Sequence, residues 1–350
     1  MVVVTDTEEW IVEWPTLGHL HDKWVRQHCL VPDGFDQGAP FVWSDWQFWC
    51  AANHYRVRTA AKWQPRRPMK SQAFQYRRSL IVGPQKSGKG PWSATVVAIE
   101  AVGPSLFAGW AGTDDGYACS DWGCGCGFEY AYKEGDPMGM PHPTPLIQLT
   151  ATSEDQVDNV YRPLRTMIKL GPLADLMLIR EDFIRLPGED NRIDIVTASA
   201  NSRLGNPISF ALHDENGLYT KENKLLKVAE TQRRGAAGMD GRSMATTNCW
   251  DPAENSDAQR TWESQSKDVF KFYRQPPKSL SWGNRRDRRK ILQYVYADSP
   301  WVTIPTIEAE VDELTQRDPA QAERFFGNRL VTGLGAWLED GLWESAYAGA

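Results

Sequence analysis

Two short stretches hold residues that could handle a phosphate. The first is LIVGPQKSGKGPW, residues 80–92: an apolar run, Gly83, four residues, then Gly88-Lys89. A glycine-rich loop that opens a helix turns several backbone N–H groups toward one point, and that point attracts anions. Lys89 would reach the outer phosphates of a bound nucleotide. The pattern normally continues with Ser or Thr, whose hydroxyl holds magnesium. Here Gly90 and Pro91 follow, and the nearby hydroxyls of Ser87 and Ser93 are not at the usual position. Mg²⁺ keeps water in its shell readily, so the expected cost of Gly90 is weaker metal affinity. The competing reading is a strand-to-helix turn with an exposed lysine.

The second stretch is ISFALHDE, residues 208–215, an apolar run ending in two acids. Phosphoryl transfer to water needs a carboxylate for the metal and a second group to orient and polarise the water. Asp214 suits the first role and Glu215 the second. The competing reading is a strand that ends in a solvated acidic turn. Taken with the loop, the pair points to ATP hydrolysis with Mg²⁺, by in-line attack of water on the γ-phosphate.

Elements must bring these stretches together. Residues 1–40 read as an extension with one helix near 19–30, and 44–57 as a helix. RRSLIVG is a short strand, and Pro91 suits the first turn of the helix after it. Residues 109–143, rich in Gly and aromatics, read as an inserted hairpin. Strands then alternate with helices to about residue 250, which predicts an α/β core with a mostly parallel sheet flanked by helices. After about 255 the strands are expected to stop. The predicted division is an ATPase core over 41–255 and a helical lid over 256–350.

The formal net charge of −6 argues against a protein that coats nucleic acid. No apolar run is long enough for a membrane helix, and the start MVVVTDTEEW has no secretory features. Cys119, Cys124 and Cys126 lie close together and could begin a Zn²⁺ site, with His142 or another cysteine as fourth ligand. Free thiols in a hairpin are the favoured reading, because no fourth ligand has a persuasive spacing. His19, His21 and His28 are taken as surface or core histidines. RRDRRK, residues 285–290, could touch DNA phosphates, or be a solvated loop or a subunit contact.

The order of these stretches resembles the ATPase part of the large terminase subunit of tailed phages, over roughly residues 40–335. The resemblance rests on FVWSDWQFW, GPQKSGKG, SFALHDE and MATTN. It implies a P-loop NTPase of the additional-strand (ASCE) type with a small helical lid. It implies that Gln47 contacts adenine and that Lys86 is the basic residue ahead of Gly88-Lys89. It implies that Thr246, Thr247 and Asn248 sense the γ-phosphate and couple its loss to movement. An arginine offered in trans to a neighbour is expected near Arg203, with Arg233 and Arg234 as rivals and a surface turn arginine as the bland alternative. The implied partners are double-stranded DNA, a portal protein and a small terminase subunit, with the chain in a ring, expected as a pentamer, in the host cytoplasm. Such subunits usually also carry a nuclease domain. The sequence ending at Ala350 leaves too little room for one, so DNA cleavage is not expected. Other readings are a helicase-like P-loop translocase or a nucleotide-binding assembly protein without turnover.

Overall fold

The computed structural model describes residues 11–65, 71–152, 154–180, 182–197 and 206–332. Arg203 and the chain beyond 332 lie outside the described residues.

Two helices, α1 (Gly18–His28) and α2 (Asp45–His54), precede the first strand, β1 (Arg78–Val82). The phosphate loop joins β1 to α3 (Lys89–Val102). The insertion follows as β2 (Leu106–Trp110), β3 (Gly116–Ala118), β4 (Glu129–Ala131) and β5 (Pro137–Met140). Then come β6 (Leu146–Thr150), α4 (Glu154–Leu170), β7 (Leu178–Ile179), β8 (Phe183–Arg185), β9 (Arg192–Val196) and β10 (Phe210–Asp214). The chain continues through α5 (Leu225–Gly238), β11 (Arg242–Thr247), α6 (Asp257–Glu263) and β12 (Val269–Tyr273). It closes with α7 (Arg285–Val295), α8 (Ile304–Arg317) and α9 (Pro319–Phe325).

The strands form an eight-stranded sheet in the order β12-β1-β11-β10-β6-β9-β8-β7. Pairing is parallel from β12 through β9, and β8 and β7 add an antiparallel edge. Every residue of β10 and β11 is buried, as expected for parallel strands covered on both faces. The α/β core expected from the alternation is present. Among the described residues, no helix is long and apolar enough to cross a membrane.

The expectation that strands stop near 255 is wrong. Residues 257–263 are helical, but Val269–Tyr273 form β12, paired in parallel with β1. The β-branched and aromatic run VFKFY suits a strand, and Val269 and Phe270 are buried against the core. Residues 304–325 of that helical segment form two helices: the Asp318 side chain accepts from Gln321 N at 2.8 Å, and Pro319 opens α9. Helices α7 to α9 enclose a small core of their own, with Trp282, Ile291, Leu292, Val311 and Phe326 inside. RRDRRK is helical rather than a loop. Its residues fill the start of α7, where Arg288 binds Asp312 and Arg289 lies 3.7 Å from Glu308, both on α8.

The insertion is an antiparallel β2–β5 pair carrying the β3–β4 hairpin. Its thiols converge on a histidine the spacing could not reveal. Cys119, Cys124 and Cys126 surround His28 of α1, while His142 accepts from Thr144 N instead.

At the far end of α3 from the phosphate loop, Glu100 pairs with buried Arg242 of β11 at 3.1 Å. Tyr55 also donates to Glu100 at 2.7 Å, and the Arg242 guanidinium donates to His54 O at 2.7 Å and lies 4.0 Å from the Phe74 ring centre. Breaking such a pair strands a buried charge, at a cost of about 3–5 kcal/mol. Urea denaturation should show a loss of that size for Glu100→Ala, and a much smaller one for Glu100→Ala with Arg242→Met.

Candidate nucleotide site

The loop after β1 takes its shape from two residues in the left-handed region, Lys86 (φ 66°) and Gly88 (φ 89°). Only glycine fits at 88: besides its φ, a Cβ there would lie 2.5 Å from the Trp301 ring. Lys89 is not an exposed turn lysine. It is 6% exposed, and its ammonium donates to Gly83 O at 3.0 Å, Pro84 O at 2.9 Å and Asn248 Oδ1 at 2.9 Å. Burial lowers its pKa, opposed by the carboxylates of Glu215 and Asp214. Ser87 donates to Pro84 O at 2.8 Å, within the loop.

Gly90 has a steric cause. A Cβ built there would stand 2.3 Å from the backbone carbonyl oxygen of Asn159 in α4. Serine or threonine would therefore collide with main chain, not with a side chain that can swing away. The close approach of α4 takes the room a hydroxyl would need.

β11 lies between β1 and β10 and touches both halves of the site. Thr247 O accepts from Gly83 N at 3.0 Å, which fixes the start of the loop. Thr246 donates to Asp214 Oδ1 at 2.8 Å. Thr247 Oγ1 accepts from Gly217 N at 3.0 Å, behind the acid pair. Asn248 uses its side chain for Lys89 and its backbone N–H for Glu215 Oε2, at 3.1 Å. Glu215 has φ 53°, a left-handed conformation that turns the chain sharply after β10.

Asp214 is buried, and its Oδ2 has no hydrogen-bond partner among the described residues. Burial, followed by repulsion from Glu215, pushes its pKa up to about 7, against the Thr246 hydroxyl, Lys89 and Asn159. A buried carboxylate with one unsatisfied oxygen at the edge of a cleft is a fitting ligand for a divalent cation.

That cleft holds about 660 Å³ and is lined by the loop, Asp214 and Glu215, and by Asn159, Arg162 and Trp301. The last three were not singled out in the sequence. Asn159 and Arg162 share a face of α4 at a spacing of three residues. That face is ordinary amphipathic helix, and nothing local marks it as part of a site.

The segment between α7 and α8 holds the loop by its carbonyls. Tyr296 donates to Gln85 O at 2.6 Å, Ser299 to Ser87 O at 3.3 Å and Trp301 to Lys86 O at 3.4 Å. Gln85 N donates in turn to Phe325 O at 2.7 Å. Gln47 is not among the cleft-lining residues. It is buried in the capping box of α2, where its Oε1 accepts from Ser44 N at 3.0 Å, and its Nε2 has no partner among the described residues. Of the rival arginines, Arg233 is bound to Asp257 at 2.7 Å, and Arg234 donates to Thr231 at 2.9 Å.

A strand inserted between the loop strand and the acidic strand, with Lys89 and the Asp214-Glu215 pair at the ends of the two strands it separates, defines a P-loop NTPase fold of the additional-strand type. Part of the HK97 bacteriophage large terminase has the same fold: TM-score 0.61, 14% identity, covering 90% of this chain and 55% of that one. The Gene 13 protein of Mycobacterium phage D29 is 22% identical over 305 residues, 79% of this chain and 47% of the relative. No protein-family model matches the chain. The chain spans about half the length of these two proteins.

Restoring a hydroxyl at position 90 should harm the protein. Gly90→Ser should lose roughly 1–3 kcal/mol by overpacking and bind nucleotide more weakly, as read by denaturation and by nucleotide titration. Asp214→Asn should stabilise the metal-free protein. The folded pKa of Asp214, about 7, lies above the ordinary carboxylate value of 3.8, so its ionisation opposes folding. That cost is absent below about pH 4, grows through the window to about 7 and is complete above it. Thermal melts at pH 8 should place the variant higher by at least roughly 2 °C, with the gap closing as the pH falls through this window.

Proposed function

We propose that the chain is the ATPase part of a phage DNA-packaging motor. The observation that supports this most strongly is the Asn248 bridge, which puts the phosphate-binding lysine and the candidate water-activating carboxylate on one residue. The γ-phosphate would lie between them. Lys89 would leave the loop carbonyls for the phosphate oxygens, drawn by a full negative charge in place of dipoles. Glu215 would orient a water, and the proton would pass to its carboxylate as the oxygen bonds to phosphorus and the bond to the ADP oxygen breaks. Asp214 is the residue to hold Mg²⁺. The ion supplies charge neutralisation at the phosphate oxygens.

Lys86 and the loop N–H groups would bind the phosphates, and Gln47 would read adenine after a rearrangement of its cap. Arg203, outside the described residues, is the proposed arginine offered to a neighbouring subunit. Thr246, Thr247 and Asn248 would register phosphate loss. The hydrogen bonds from Tyr296, Ser299 and Trp301 would carry the change in the loop to the helices, which act as the lid. Double-stranded DNA is the proposed load, in a ring assembled on a portal with a small terminase subunit. The relation to the terminase fold is the reason for these partners.

Steady-state ATPase assays on wild type, Lys89→Ala and Glu215→Ala should show magnesium-dependent turnover that falls by at least ~100-fold in each variant. The assays should span a wide protein concentration range, since a site completed by a neighbour is weak in dilute subunits. Wild-type turnover no higher than the variants at every concentration would refute the reading. In mixed assemblies, Arg203→Ala subunits should depress wild-type turnover, whereas a surface arginine would leave it unchanged.

A further inference from the structure

The three insertion thiols meet one ring nitrogen. His28 Nε2 lies 3.4 Å from Cys119 Sγ, 3.6 Å from Cys124 Sγ and 3.2 Å from Cys126 Sγ. The four ligand atoms all lie within 4.8 Å of one another, and none of the cysteines is in a disulfide. A tetrahedral zinc with its usual bond lengths sets nitrogen-to-sulfur distances of about 3.5 Å.

The surroundings fix the histidine for this task. His28 Nδ1 is 2.8 Å from the Trp24 carbonyl oxygen, so the proton sits on Nδ1 and Nε2 presents a lone pair. The ring stacks on Trp24 at 4.2 Å, which sets its orientation. One lone pair accepts one thiol proton, yet three sulfurs point at it. A hydrogen-bonded thiol cluster leaves two of them without that partner, whereas a metal ion satisfies all three at once. Phe128 N donates to Cys126 Sγ at 3.4 Å. Gly123 (φ 83°) and Gly127 (φ 74°) turn the chain on either side of Cys124 and Cys126.

The geometry points to a structural zinc site, ligated by His28, Cys119, Cys124 and Cys126, that fastens the insertion to α1. Four protein ligands leave no open position, so the ion would be structural rather than catalytic. None of the four lines the nucleotide cleft. The tie spans 91 residues of sequence between His28 and Cys119.

The test is metal analysis of the full chain purified without chelator, with Co²⁺ replacement as a spectroscopic check. About one zinc per chain is expected, and the cobalt form should show thiolate charge-transfer bands and intense tetrahedral d–d bands. Cys119→Ser and Cys126→Ser should each cut the bound zinc at least tenfold and lower the melting temperature, while His28→Cys, which keeps four ligands, should retain it. Wild-type protein that folds with less than a tenth of an equivalent of zinc, and gives no tetrahedral cobalt spectrum after reconstitution, would overturn the site. A disulfide among the three cysteines in reduced-cell extracts would overturn it too. Both readouts are independent of ATP turnover, so either proposal can fail without the other.

Discussion

Asn248 sits where β11 runs out between the loop strand and the acidic strand, and it faces both ways. Its side-chain oxygen accepts from the Lys89 ammonium, and its backbone N–H donates to the Glu215 carboxylate. A cation and an anion that would otherwise pair directly are held apart by one amide. On the proposed function, the space between them is where a transferring phosphate would enter. Interposing β11 makes this arrangement possible, since strands in direct contact would leave no residue to stand between the two groups. Thr246 and Thr247 extend the same support to Asp214 and to the turn behind it.

The helices at the two ends of the chain act on this centre from different sides. Those after β12 reach the phosphate loop through the segment joining α7 to α8, which holds the loop carbonyls, so the loop cannot change shape without moving that segment or breaking its hydrogen bonds. At the other end, α1 is joined to the insertion through His28 and its three thiol neighbours, and the base of α3 is anchored by Glu100 and Arg242. One end of α3 is therefore tied to a buried ion pair, and the other opens on the cleft of the proposed nucleotide site.

What the sequence made legible was local. Gly83 to Lys89 and His213-Asp214-Glu215 each sit at the end of a short apolar run, and a strand end can be read from a few residues. The partners of these residues could not be read that way. Asn159 meets the loop because α4 packs across the start of α3, and Trp301 because the segment between α7 and α8 folds back over it. His28 meets the cysteines across most of a hundred residues. β12 was misread because a helical reading was carried past Glu263 into VFKFY, whose burial against β1 is set by the sheet edge. His142 was a possible fourth ligand without a persuasive spacing, and the histidine that does meet the thiols is far away in sequence.

The close approach of the Asn159 carbonyl to Gly90 bears on how such proteins are found. A pattern that demands a hydroxyl after Gly-Lys selects for loops with an open flank, and it passes over a loop whose flank is filled by backbone. In chains built like this one, the informative signature is split between two places: a glycine in the first turn of the loop helix, and a helix on the next strand crossover that arrives close enough to require it. A search that scores the two together would recognise a phosphate loop by the room around it as well as by the letters in it.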